Sequence, residues 1–155
     1  MHLATYVGLQ HEASRTLSES FREVAASHGD EPDVAITCAT LASACDRHVL
    51  RLGPVVDRYG EHREPEPERL HAQGLASGRA GGVGLLRDLQ DLYVLASFVD
   101  ITWTVLTQAA QALRDQQLLE IVGECDGDTR QQLLFLRTRI KQAAPQALVV
   151  GHAGT

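Results

Sequence analysis

One run of apolar side chains constrains this chain more than any other feature: Leu85, Leu89, Leu92, Ala96, Val99, Trp103, Leu106, Ala110 and Leu113 follow one another at an unbroken 4-3 spacing. Steps of four and three return to the same side of a helix that turns every 3.6 residues. The run therefore predicts a helix over about residues 83–114 with one buried seam. Three more segments carry the same period. Tyr6, Leu9, Ala13, Leu17, Phe21, Val24 and His28 line a helix over about 3–28, which Gly29 stops. After the turn signal Asp30-Glu31-Pro32-Asp33, the residues Cys38, Leu41, Cys45, His48, Leu52, Val55 and Tyr59 line one over about 34–59, with a kink expected at Gly53-Pro54. Leu119, Val122, Asp126, Thr129, Leu133, Leu136 and Ile140 line the last, over about 116–144, with Pro145 as its expected stop. Strict apolar/polar alternation never lasts more than a few residues, so the chain reads as all-α.

Between the helix pairs the character changes. Glu61 to Glu68 is charged and Pro-rich, and Gly74, Gly78, Gly81 and Gly82 follow, so 60–82 reads as a connection and 151–155 as a flexible tail. Two closely joined helices, a long connection and two more closely joined helices predict a four-helix bundle with one long crossover between helices 2 and 3, forming a single domain over residues 1–150. At 155 residues the chain is long enough to bury such a core without disulfides. Aromatic residues are only 5 % of it, so that core must be aliphatic.

Charge narrows the function. Lys plus Arg number 14 against 20 Asp plus Glu, a net charge of -6, which argues against nucleic acid, whose affinity comes from neutralising phosphates. The opening Met1-His2-Leu3-Ala4-Thr5-Tyr6 has neither a basic n-region nor an apolar run, so no secretory signal is expected and a cytoplasmic location is. No membrane span is expected either, because Asp100, Gln108 and Gln111 interrupt the nearest candidate, Leu92 to Leu113. Three cysteines, Cys38, Cys45 and Cys125, fit a reducing compartment.

The residues that break the seams carry the chemistry. Asp100 is the only charged residue between Leu92 and Leu113. Helix 2 places Cys45 and His48 on its inner face, helix 4 places Asp126 and Thr129 there with Glu124 and Asp128 near by, and Glu12 and Glu19 flank the seam of helix 1. All of these lie near mid-helix. They predict one polar layer: either facing carboxylates and an imidazole that hold a hard metal ion, or a hydrogen-bonded network in which His48 pairs with Asp100 or Asp126. Cys38 and Cys45 read equally as small core hydrophobes. His11, His28, His62 and His71 are expected on outer faces or in the crossover. No Gly-x-Ser-x-Gly occurs and Gly78-Arg79-Ala80-Gly81-Gly82 lacks the Lys-Ser/Thr of a phosphate loop, so no catalytic residue or nucleotide cofactor is expected.

The helix order, the long crossover and the mid-bundle acids resemble the ferritin-like superfamily. The nearest likeness is to its small stress-associated domains of the YciE/YciF type, through Asp46-Arg47-His48-Val49-Leu50-Arg51-Leu52, Ala72-Gln73-Gly74-Leu75-Ala76-Ser77-Gly78, Asp100-Ile101-Thr102-Trp103 and Leu118-Leu119-Glu120. That resemblance implies a carboxylate-bridged iron or manganese site built from Glu12 or Glu19, Cys45, His48, Asp100, Glu124 and Asp126. The pattern departs from the family's. Cys45-x-x-His48 stands where Glu-x-x-His belongs, and Glu124-x-x-Gly127 has no histidine. A degenerate, weakly binding or remnant site is therefore expected rather than ferroxidase turnover, with a metal-free scaffold or protein-interaction module as the alternative. Helices this long also lead us to expect a homodimer or higher homo-oligomer.

Overall fold

The computed structural model describes residues 2–60, 73–75 and 78–150. They form four α-helices: α1 (His2–Ser27), α2 (Pro32–Gly60), α3 (Gly81–Leu113) and α4 (Gln116–Leu148), with no strand among the described residues. Pro32 is the first residue of α2, where its fixed φ suits the helix and its missing N–H is not needed, and Glu31 supplies the first carbonyl to Ala35. Only Arg114, held left-handed at φ 54°, and Asp115 separate α3 from α4. Asp115 caps α4 by accepting from Leu118 N–H at 3.1 Å, and also receives Arg58 and Tyr59 from the end of α2.

Cross-helix bonds fix the arrangement. Ser18 donates to Ala42 O, and Arg51 and Arg139 of α2 and α4 reach Glu124 and Asp33, so α1/α2 and α2/α4 run antiparallel. Trp103 meets Thr129 and Tyr93 meets Arg137, which makes α3/α4 antiparallel as well. Gln10 with Val99 and His28 with Asp88 do the same for α1/α3. The helices thus stand in the ring order α1, α2, α4, α3, with α2 and α3 on a diagonal and pointing the same way. Leu75 N–H and Gly78 N–H bond Ser20 and Glu23, so the described pieces between α2 and α3 lie along α1. Gly74 is needed there, since a Cβ would stand 2.7 Å from the Thr16 methyl.

The core is aliphatic around Trp103 and Phe21, with Leu17, Leu52, Leu89, Leu92, Leu106 and Leu136 fully buried. The α3 seam is buried from Leu85 to Ala110, while Leu113 at its end is half exposed. Two expectations about α4 need correction. Pro145 does not end it: like Pro54 in α2, it lies inside the helix. Both prolines sit on the solvent face, as do Lys141 and Leu50 four residues earlier, so water can bond the carbonyls they leave free. The seam of α4 runs through Leu118, Val122, Cys125, Thr129, Gln132, Leu136, Ala143 and Ala147, whereas Leu119, Asp126, Leu133 and Ile140 are half-buried on its flank. Polar Gln132 and soft Cys125 at seam positions hid that register in the sequence.

Candidate functional site: a buried polar layer

A polar layer does cross the middle of the bundle, but largely through residues other than the acids expected there. His48 is 2 % exposed and its Nε2 lies 2.9 Å from Asp128 Oδ2. Burial pushes its pKa below the ordinary value, outweighing the carboxylate and leaving the imidazole neutral at pH 7. A neutral ring facing a carboxylate carries its proton on Nε2 and donates it. The rings of His48 and Trp103 meet in a T shape, centroids 5.8 Å apart and planes at 86°. Trp103 Nε1–H in turn donates to Thr129 Oγ at 3.0 Å.

One turn further along α4, Gln132 Nε2 donates to Cys45 Sγ at 3.3 Å. From α1, Gln10 Nε2 donates to Val99 O at 2.8 Å, and Ser14, one turn further along the helix, is buried. Gln10 Oε1, Ser14 Oγ and Gln132 Oε1 are buried without a hydrogen-bond partner among the described residues. All three are neutral oxygens. The layer is amide, hydroxyl, thiol, indole and imidazole, with Asp128 at its edge, where that carboxylate borders a groove of about 270 Å³ shared with Arg47 and Gln131.

The acids expected to converge stay apart. Glu12 is exposed and pairs with Arg15 at 3.1 Å, and Glu19 is exposed on the same outer face. Glu124 receives both ends of the Arg51 guanidinium, and Asp126 lies 3.4 Å from Arg130. Asp100 is half-buried on the flank of α3, and it meets neither His48 nor Asp126. The expected partners of His48 are thus corrected to Asp128: two steps of 100° along α4 separate the flank position of Asp126 from the α2-facing side where Asp128 stands. Among the described residues no three His, Cys, Asp or Glu side chains are grouped to hold a metal ion. Carboxylates neutralised by arginines on the surface do not compose the oxygen-rich donor set of a dinuclear centre.

A second polar cluster escaped sequence reasoning. His28, expected to be solvated, is 2 % exposed, and its Nε2 lies 2.8 Å from Asp88 Oδ2 on the other side of the bundle end. Asp88 is fully buried and also accepts from Arg79 N–H at 2.8 Å and Arg79 Nη1 at 2.7 Å. It ties the end of α1, the start of α3 and the chain entering α3. The signal was present: His28 occupies the seam of α1, and Asp88 sits one residue before Leu89 of the α3 seam.

Cys38, Cys45 and Cys125 are all buried free thiols whose pKa burial raises to about 12. The reactive species is the thiolate, so the native protein should show no thiol reacting with Ellman's reagent, and three after unfolding in guanidinium. A thiol that reacts promptly in the native state would contradict this burial. Compared with protein-family models, curated proteins and solved structures, the chain matches none.

Proposed function

We propose that this chain is a metal-free helical interaction module whose polar layer specifies how four helices register, with the helix order of the ferritin-like bundles and a crossover between α2 and α3. One observation supports it above the others: buried polar groups are bonded across helices, as in His48–Asp128, Trp103–Thr129 and Gln132–Cys45, while Glu12, Glu124 and Asp126, three of the acids a metal would need, are paired with arginines outside. Single polar contacts at seam positions favour one register over its neighbours, because a shifted helix would leave each group buried and unbonded. Three unbridged thiols suit work in the cytoplasm.

The rival is a remnant metal site at His48 and Asp128, where α2 and α4 bring an imidazole and a carboxylate to 2.9 Å at mid-bundle. Elemental analysis after iron or manganese loading separates the two. The proposed module retains no stoichiometric metal, and Asp128→Ala lowers unfolding free energy by about 1–3 kcal/mol by leaving the buried Nε2–H of His48 unbonded. Near-stoichiometric metal that disappears in His48→Ala would replace this reading with the rival.

A further inference from the structure

Where α2 and α4 meet, a groove of about 270 Å³ lies between them. Thr40, Ser43, Ala44 and Arg47 follow one another at helical spacing along its α2 wall, and Asp128 and Gln131 line it from α4. The antiparallel pairing fixes their order. His48 meets Asp128 and Gln132 meets Leu41 O, so Arg47 and Asp128 stand at one end of the groove and Thr40 and Gln131 at the other. From Thr40 to Arg47 the α2 wall extends about 10 Å at 1.5 Å per residue. The volume falls just below the roughly 300–1,000 Å³ of sites for drug-sized ligands, and so suits a metabolite of amino-acid size.

Opposite charges line this groove without neutralising each other. Arg47 is exposed and forms no ion pair or hydrogen bond among the described residues, whereas Arg22, Arg51, Arg58 and Arg139 each hold a carboxylate. Asp128 Oδ2 accepts from His48 Nε2 at 2.9 Å, and its Oδ1 accepts nothing among the described residues. The His48 side chain is 3 % exposed and that of Asp128 38 %, so a buried donor anchors a carboxylate that solvent still reaches. An acceptor anchored in this way loses little rotamer freedom when it binds. Along the α2 wall the Thr40 and Ser43 hydroxyls donate to the carbonyls of Ile36 and Ala39 at 3.1 and 3.3 Å, which leaves both oxygens as acceptors.

A ligand with a single charge meets one attraction and one repulsion here, and a zwitterion meets two attractions. A guanidinium takes a carboxylate through two parallel bonds, and a carboxylate takes an ammonium through charge-assisted ones. We propose that the α2/α4 groove binds a free amino acid, with its carboxylate on Arg47, its ammonium on Asp128 and its side chain lying along Leu41 and Ala44 toward Thr40 and Gln131. Such a site goes beyond the interaction module proposed above and requires no protein partner. Because the groove is open and its charges are partly screened by water and salt, the dissociation constant should be on the order of 1 mM.

The test is calorimetric titration of the full chain with the standard amino acids, one at a time, at pH 7 with EDTA present. The expected result is saturable binding of at least one of them, one per chain, weakened about tenfold or more when its α-carboxylate or its α-ammonium is removed. Arg47→Ala should weaken that binding by the same factor and leave the unfolding midpoint of the free protein where it was, since Arg47 is exposed and unpaired. In a nuclear magnetic resonance titration the shifted amides should cluster at 40–47 and 128–131. No binding up to about 20 mM, binding indifferent to Arg47→Ala, or a decarboxylated amine bound as tightly as the amino acid would each overturn the proposal. So would binding that appears only when iron or manganese replaces EDTA, which would return His48 and Asp128 to the metal reading. Elemental analysis tests the metal-free module separately, whichever way the titration falls.

Discussion

Asp88→Ala should destabilise the protein by about 3–5 kcal/mol, the range found when one member of a buried pair is removed. The carboxylate is fully buried and accepts three bonds, from His28 Nε2, Arg79 N–H and Arg79 Nη1. Alanine supplies none of them. His28, itself 2 % exposed, is left facing a void. Asp88→Asn keeps the shape and one acceptor oxygen, so it should lose less, about 1–3 kcal/mol. Guanidinium unfolding followed by circular dichroism measures both. Because domains of this kind are stable by only about 5–15 kcal/mol, the alanine variant should also show a clearly lower midpoint. A change below 1 kcal/mol for Asp88→Ala would mean that Asp88 does not hold the bundle end. Proteolysis adds a local readout: cleavage near Arg79 should accelerate more in this variant than in one equally destabilised at mid-bundle.

The second large effect is expected at Trp103. It is 1 % exposed, packs in a T shape with His48 and bonds Thr129, so Trp103→Ala opens a cavity and orphans the Thr129 hydroxyl. Truncating a buried aromatic costs about 3–5 kcal/mol, and the unpaired hydroxyl adds to that. Trp103→Phe keeps most of the ring volume while losing the indole N–H, and should cost less than half as much. Since Trp103 is the only tryptophan, stability is followed by circular dichroism in the variants, and its own emission reports on the wild type. Blue-shifted native emission that moves to the red on unfolding is the accompanying expectation. An alanine variant as stable as wild type would remove Trp103 from the centre of the layer.

The four helices were legible because their evidence is local. Leu85 to Ala110 repeats every three or four residues, and every one of those positions is buried. Register within a helix was less secure where the seam itself is polar. In α4 the expected seam shares Val122, Thr129 and Leu136 with the observed one, but the apolar Leu119, Leu133 and Ile140 are on the flank while Cys125 and Gln132 are at the centre. That difference put Asp126, rather than Asp128, among the expected partners of His48. Pro145 was misleading for a related reason: its cost depends on whether the freed carbonyl meets water, and there it faces outward.

That a polar layer exists at mid-bundle could be read from breaks in the seams. Its membership could not. His48 pairs with Asp128 80 residues away, and His28 with Asp88 60 residues away, neither separation being related to any period in the chain. Helix formation follows from side chains three and four positions apart, which the order of residues states directly. Which carboxylate meets which imidazole depends instead on the rotation and axial offset of each helix against its neighbours, and a rotation of one residue, about 100°, exchanges a buried partner for a solvated one. Those rotations are settled by packing the whole core at once, so the helices belong to the sequence and the pairs belong to the assembled bundle.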